Sequence, residues 1–299
     1  MDQFRRIGLI SRKGNQQVVE TLVTLVVFLR ERGSTVVLET DTFSLLNGAL
    51  KDVQVCEREL LGDHCDLVIV VGGDGSMLGA ARALSSQSVP VLGINRGSLG
   101  FLTDISPDEI EARVGAVLSG SYTLEERFLL DAEVVRGTEI IARGDALNEV
   151  VLHRGASLRM IEFALYLDDH FVYSQHSDGL VISTPTGSTA YALSGGGPIL
   201  HPALDAIALV PMFPHTLTSR PIVVAGNSQM RIVLGAIGLD ESRGTQPELS
   251  CDGQTHVLLQ AGDIVHVQKK AEKLQLVHPL DHNYYETCRT KLGWGSRLV

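Results

Sequence analysis

A membrane-spanning helix needs about 18 or more consecutive apolar residues, and no such run occurs in this 299-residue chain. Even the apolar stretch Val18–Gly33 is interrupted by Glu20, Thr21 and Thr24. The N-terminal segment "MDQFRRIGLISRKG" is basic, but its apolar run is too short for a signal-peptide core. Cysteine is scarce: Cys56, Cys65, Cys251 and Cys288 form no CxxC pair and show no zinc spacing with histidine. That argues against a disulfide framework or a zinc module and for occasional buried thiols in a reducing compartment. Basic residues are also short, 25 Lys and Arg against 35 Asp and Glu, for a net charge of −10. A nucleic-acid partner would call for clustered Lys and Arg. These absences lead us to expect a soluble cytoplasmic protein with no nucleic-acid or membrane partner. An anionic ligand would have to be met locally, by backbone N–H groups, a metal ion or a few arginines.

Hydrophobic residues make up 44% and charged residues 20% of the chain, enough for a sizeable packed core, and the length fits two domains. Strand and helix alternate over the first hundred residues. Apolar runs at Arg6–Ile10, Thr35–Glu39, Asp66–Gly73 and Val89–Asn95 do not alternate with polar residues, as a parallel sheet buried on both faces requires. Between them, Val19, Leu22, Val26 and Leu29 recur at helical spacing before Gly33, and a small-residue helix is predicted over Ser76–Leu84. A further helix is predicted over Ser106–Gly120, with Pro and acids in its first turn. After Tyr122 short strands follow one another without helices, among them a hairpin around Asp168-Asp169, as in a β-sandwich. The expected fold is an α/β Rossmann-like nucleotide domain over residues 1–121, to which 281–299 could return. A β-rich, sandwich-like domain would cover 122–280, with an active site between the two.

Three stretches carry chemistry. "VVGGDGSMLGAA" (Val70–Ala81) places Gly72-Gly73-Asp74-Gly75 between a strand and a helix, where a glycine backbone and free helix N–H groups can cradle a phosphate. It is neither a Walker loop nor GxGxxG, and a plain turn with Asp74 capping the helix is the simpler alternative. "LNEVVLHRG" (Leu147–Gly155) offers an amide and a carboxylate at a strand start, Asn148 and Glu149, which suit hydroxyl recognition or are merely solvated. "SDGLVISTPTGSTAYALSGGGPIL" (Ser177–Leu200) embeds a run of Ser and Thr, with Tyr191 and three glycines, between apolar segments. Such hydroxyls either line a ligand or bond to their own loop, and Asp178-Gly179 by itself could be a hairpin turn.

Together, "GGDGSML", "NEVVLHRG", "DGLVISTPTGSTAYALSGGGPI" and "SCDGQ" (Ser250–Gln254) resemble the bacterial NAD kinase family over nearly the whole chain. "GGDG" occurs also in diacylglycerol kinase-like and phosphofructokinase-like enzymes, so the Thr-Pro-Thr-Gly-Ser-Thr-Ala-Tyr loop decides the resemblance. It implies transfer of a phosphoryl group from ATP to the 2′-hydroxyl of the adenosine ribose of NAD, with a divalent cation, Mg²⁺ or Mn²⁺. Asp74 would orient and deprotonate that hydroxyl, or else hold the metal, and Gly72, Gly73 and Gly75 would face phosphate. NAD would be held by Asp74, Gly75, Asn148 and Glu149, by Thr189, Ala190, Tyr191, Ala192, Leu193 and Ser194, and by Asp178 at the nicotinamide end. Arg159 could meet the pyrophosphate, in one arrangement across a subunit contact, and Gln254 would close the site. His176 bears on acceptance of NADH, with oxidised NAD favoured. A homodimer or homotetramer is expected, with strands such as "IEFALYLDD" extending across a subunit contact. Two rivals remain open at this stage, a lipid or small-alcohol kinase sharing "GGDG" and a non-catalytic NADP(H)-binding regulator.

Overall fold

The computed structural model describes residues 2–11, 16–97, 100–155, 159–235 and 246–294. The chain divides into two compact units, Met1–Glu126 with Lys273–Val299, and Arg127–Glu272.

The first unit opens with β1 (Arg6–Ser11), α1 (Gln16–Glu31), β2 (Thr35–Glu39), α2 (Thr40–Leu45), β3 (Gln54–Cys56), α3 (Leu61–His64), β4 (Leu67–Gly72), α4 (Asp74–Leu84) and β5 (Pro90–Asn95). The strands pair in parallel in the order β3-β2-β1-β4-β5. Leu67 to Val71 are fully buried, which is why β4 reads as an unbroken apolar run rather than an alternating one. The buried stripe of α1 is Val18, Thr21, Leu22, Leu25, Val26 and Leu29. Val19, which the helical spacing had placed on this face, is only partly buried against the core.

In this unit α2, β3 and the four-residue α3 have no counterpart in the sequence reading. Helix α2 is a single capped turn, in which the Glu39 carboxylate accepts Thr42 N–H at 3.1 Å. Strand β3 is a three-residue, mostly exposed edge. All three are too short for a period to emerge. The segment predicted as one helix over Ser106–Gly120 is instead a 3₁₀ turn (Pro107–Glu109), a wide π-turn stretch (Ile110–Val114) and α5 (Gly115–Leu118). A reciprocal Ser106–Glu109 capping box starts it.

The second unit takes β6 (Tyr122–Arg136) from Arg127 on, β7 (Glu139–Ala146), β8 (Glu149–His153), β9 (Ile161–Leu167), β10 (His170–Ser177), β11 (Gly179–Ser183), α6 (Tyr191–Ser194), β12 (Ala206–Met212), β13 (Ile222–Ala225), β14 (Met230–Leu234), β15 (Glu248–Cys251), β16 (Thr255–Leu258) and β17 (Ile264–Pro279) as far as Glu272. Among the described residues one antiparallel sheet runs β13-β12-β11-β8-β15-β16. A second carries β10-β9-β14-β17, and β6 pairs with β7 and β17. Alternate residues from both sheets, among them Leu152, Phe163, Leu165, Ile182, Leu209 and Ile232, fill one buried cluster, the signature of a sandwich. The hairpin at Asp168-Asp169 forms with φ of 48° and 63°, the left-handed pair that a two-residue turn demands. Strand β9 is paired on both sides, by β10 and β14. It therefore has no edge to offer a second subunit, contrary to the expectation for "IEFALYLDD". Beyond Lys273 the end of β17 lies parallel to β5, with Gln275 opposite Pro90. Helix α7 (Tyr284–Leu292) follows, capped by the Asn283 side chain.

Candidate active site

In the first unit β4 ends at Gly72 and the chain turns through Gly73 into α4, at the carboxyl ends of parallel strands, where open α/β sheets bind ligands. Gly73, not Asp74, is the N-cap, and no side chain caps this helix. The capping role considered for Asp74 is therefore absent. Its carboxylate reaches across to the segment after β5, where Oδ2 accepts Phe101 N–H at 2.9 Å and Oδ1 accepts Leu102 N–H at 3.0 Å. The Thr103 hydroxyl adds a longer bond to Oδ1 at 3.4 Å. A Cβ built on Gly100 would overlap both Asp74 Oδ1 and Thr103 Oγ1, so the cradle requires a residue without a side chain there. Gly73 faces open space, and both Gly73 and Gly75 are exposed.

In the second unit a cavity of about 510 Å³ is lined by Glu149, Asp178, Tyr191, Ser250, Asp252 and His256 among others, within the usual size range of small-molecule sites. Its floor is set by the β15–β16 turn, where Asp252 and Gly253 take φ of 53° and 61°. The Asp252 carboxylate accepts the N–H groups of Leu147 at 2.9 Å, Asn148 at 2.8 Å and Glu149 at 3.1 Å. That fixes the start of β8 and brings a second carboxylate beside Glu149. Burial first, and then the Asp252 charge, push the Glu149 carboxyl up to about 8. Its Oε2 is buried with no hydrogen-bond partner among the described residues. On another wall, burial lowers His153 below its usual value while the Glu248 charge opposes the shift. Glu248 also takes a short hydrogen bond from His256.

Asp178 lies where the chain passes from β10 in one sheet to β11 in the other, so Asp178-Gly179 is a crossing between sheets and not a hairpin turn. Its carboxylate pairs with Arg154 Nε at 3.2 Å.

The hydroxyl-rich loop largely satisfies itself. Ser183, Thr184, Ser188 and Thr189 donate to the carbonyls of Thr184, Leu147, Pro185 and Thr186 at 2.6–3.4 Å. Gly187 packs against the Asn148 carbonyl so closely that a Cβ could not fit. These hydroxyls thus close the turn around Asn148 on itself. From this loop the 510 Å³ cavity receives Tyr191, which is 51% exposed. Ser194 lines a neighbouring cavity of about 540 Å³ with Tyr191, Met212 and Phe213. Ala192 is fully buried in a small core with Val151, Val181 and Val210, a packing position rather than a wall. Thr189, Ala190 and Leu193 are half-buried, Arg159 is exposed and His176 is half-buried on β10. None of these five, nor Asn148 or Gln254, lines either cavity among the described residues.

Family comparisons agree with this architecture. The description "ATP-NAD kinase N-terminal domain" matches residues 7–122, and "ATP-NAD kinase C-terminal domain" matches 147–279. An NAD kinase of Azotobacter vinelandii is 62% identical over 298 residues, covering 100% of this chain and 99% of the relative. One from Pseudomonas aeruginosa is 60% identical with the same coverage. The chain belongs to the ATP-NAD kinase family. Among solved structures, yeast NADH kinase complexed with NADH superposes with a TM-score of 0.89 at 24% identity, covering 99% of this chain and 90% of that one. The Archaeoglobus fulgidus NAD kinase in complex with ATP superposes at 0.70 and 23% identity, covering 95% and 99%. At such identities these two establish a shared fold.

Within this ATP-NAD kinase chain, sequence reasoning missed the Gly100–Thr103 segment and Asp252. The signal for the first was "GFLTD" (Gly100–Asp104), a glycine-bearing segment soon after a buried strand and facing the "GGDG" turn of the neighbouring strand. For the second it was the Asp-Gly pair of "SCDGQ", read as part of a motif without asking which backbone donors that carboxylate would meet.

Proposed function

We propose that this chain transfers the γ-phosphoryl group of ATP to the 2′-hydroxyl of the adenosine ribose of NAD, giving NADP and ADP. The bond formed joins the ribose oxygen to the γ-phosphorus, the bond broken is that to the β,γ-bridging oxygen, and the hydroxyl proton passes to Asp74. The observation that carries the reading is the Asp74 carboxylate, held by two backbone N–H groups beside an uncapped helix start and an open glycine turn. A ribose hydroxyl is a weak nucleophile, and an oriented carboxylate both aligns it and takes its proton. Exposed Gly73 and Gly75 offer backbone to phosphate without a side chain in the way. Asn148 and Glu149 serve the dinucleotide, and Glu149, protonated at neutral pH, can donate as well as accept. Asp178, fixed by Arg154, serves the nicotinamide end, and the Tyr191 ring stacks on the ligand. The same reading gives Arg159 to the pyrophosphate and uses Gln254 to close the site, with oxidised NAD as the acceptor favoured at His176.

The donor chemistry at Asp74 also suits a divalent cation. Asp74 Oδ2 keeps a lone pair beyond its bond from Phe101 N–H, and hard oxygen ligands are what Mg²⁺ and Mn²⁺ take. Asp74 would hold it, and it would supply charge neutralisation to the phosphates. In the cell we place the protein in the cytoplasm, consistent with four free cysteines. No helix among the described residues is long and apolar enough to cross a membrane. We further propose a homodimer or homotetramer.

A coupled assay that reads NADP formation tests the activity. ATP-dependent, Mg²⁺-dependent accumulation of NADP is expected, whereas dinucleotide binding with no ATP consumption would leave a regulator instead of an enzyme.

A further inference from the structure

The cradle that holds Asp74 is itself held from one side by the end of the chain. Directly after Thr103, the Asp104 side chain is 8% exposed, and its Oδ2 accepts from two imidazoles, His278 Nδ1 at 2.9 Å and His282 Nδ1 at 2.8 Å. The two rings stack, with centroids 3.9 Å apart and planes 18° from parallel. His278 is fully buried at the end of β17, and Glu125 Oε2 lies 3.8 Å from its Nε2. Two residues past His282, the ring of Tyr284, first residue of α7, sits 6.2 Å from the ring of Phe101. Between the two histidines in the chain, Asp281 pairs with Arg113 at 2.9 Å. Thus Phe101, which donates its N–H to Asp74, and Asp104, three residues on, are both fastened to His278–Tyr284.

Two histidines and an aspartate with their ligand atoms within 4.8 Å of one another have the composition of a metal site. The ring geometry argues otherwise. Imidazole lone pairs lie in the ring plane, and nearly parallel stacked rings direct them side by side. They do not converge on one ion about 2.0–2.1 Å from each nitrogen. Both Nδ1 atoms meet one carboxylate oxygen, as two N–H donors would. Burial, the largest single influence, would raise the Asp104 carboxyl, but the hydrogen bonds and electrostatic attraction of His278 and His282 together outweigh it and hold the group well below the usual carboxylate range. An anion bonded this way is a rigid anchor.

We propose that Asp104, His278, His282 and Tyr284 form a brace that positions the Gly100–Thr103 cradle, and through it the Asp74 carboxylate. These are positioning residues, and none of them touches substrate. The proposal rests on the activity assigned above, in which Asp74 must meet a hydroxyl at hydrogen-bond distance. Further anchors of the segment include Asn95 N–H to Ile105 O at 2.8 Å and the buried side chains of Leu102, Thr103 and Ile105. Losing the brace would therefore loosen the cradle without unfolding the sheet.

The test compares His278→Leu with His278→Asn, whose amide can place an N–H donor near the position of Nδ1. His282→Leu and His282→Asn form a second pair at a less buried position. The Leu variants should lose about tenfold to 10²-fold in kcat, the scale of a misplacement near 1 Å, with NAD binding by calorimetry unchanged. The Asn variants should recover most of the loss. Independently of turnover, hydrogen exchange at the Phe101 and Leu102 amides should quicken in the Leu variants and not in the Asn variants. Equal kcat in all variants with unaltered exchange at those amides would overturn the brace. So would stoichiometric zinc in the purified protein that His282→Leu removes. If the wild-type chain makes no NADP, the assigned activity fails, and the exchange measurement alone still decides whether the brace exists.

Discussion

Asp74 and Glu149 are two carboxyl groups placed in opposite surroundings. Asp74 is half-buried and spends both oxygens on backbone donors, an arrangement that fixes direction. Asp74→Asn keeps the size of the side chain but removes the base. Turnover should fall by about 10²–10⁴, while the NAD affinity read by calorimetry stays close to wild type. Partial rescue by raised Mg²⁺ or Mn²⁺ would instead identify Asp74 as chiefly a metal ligand, and near-normal turnover would remove it from the chemistry. Glu149 is a stability matter as well as a binding one. Its folded-state value of about 8 stands above the ordinary 4.5, because burial and the Asp252 charge both disfavour ionisation. The native state keeps the proton that the unfolded chain releases near 4.5. The stability tied to the neutral acid is therefore fully present below that pH and is lost as pH rises towards 8. Glu149→Gln, neutral at every pH, should unfold at a higher temperature than wild type at pH 8, with the gap closing towards pH 4.5. A gap independent of pH in thermal unfolding followed by circular dichroism would show that Glu149 ionises normally.

The element that decides the Asp74 geometry is the turn after β5, and Gly100 is its tightest point. Gly100→Ala should push the Asp74 carboxylate or Thr103 aside, lowering kcat by about 10²-fold with little change in the NAD dissociation constant. A wild-type rate would mean that the turn adjusts freely. Elements of this kind resist reading from sequence for a definite reason. The parallel strands announce themselves, because burial on both faces leaves unbroken apolar runs such as Leu67–Val71. The hairpin at Asp168-Asp169 does so through turn chemistry. The partner of a carboxylate, by contrast, is set by tertiary contact over long separations, 27 residues from Asp74 to Phe101 and 105 from Leu147 to Asp252. The same limit governs the hydroxyl-rich loop. Its composition was evident, but whether Ser188 bonds a ligand or the Pro185 carbonyl depends on how the loop closes, and it closes on itself. Asn148 and Glu149 stand out in the sequence as polar residues at a strand start, a position equally open to plain solvation, and the roles given to Asp178 and Tyr191 come from the family resemblance. Ala192 and Leu193 were carried by the motif alone.

For the molecule as a whole, the proposed assembly can be tested on its exposed apolar surface. Strand β10 pairs only with β9 among the described residues and presents Phe171 and Val172 to solvent, 60% and 36% exposed. Such an edge is a template for another chain. On the same unit Phe213 and Leu217 are 81% and 93% exposed beside the 540 Å³ cavity. The proposed assembly would then run through β10 in place of the interior strand β9. Light scattering at micromolar protein should give twice or four times the chain mass of 32.3 kDa. Phe171→Lys, which puts a charge on the edge, should shift that mass towards the single chain, because a lysine facing a second strand must be desolvated without a partner. A wild-type mass of 32.3 kDa would end the assembly proposal. An oligomer indifferent to Phe171→Lys would move the contact away from β10 and towards the surface around Phe213 and Leu217, where Leu217→Asp would then be the dissociating change.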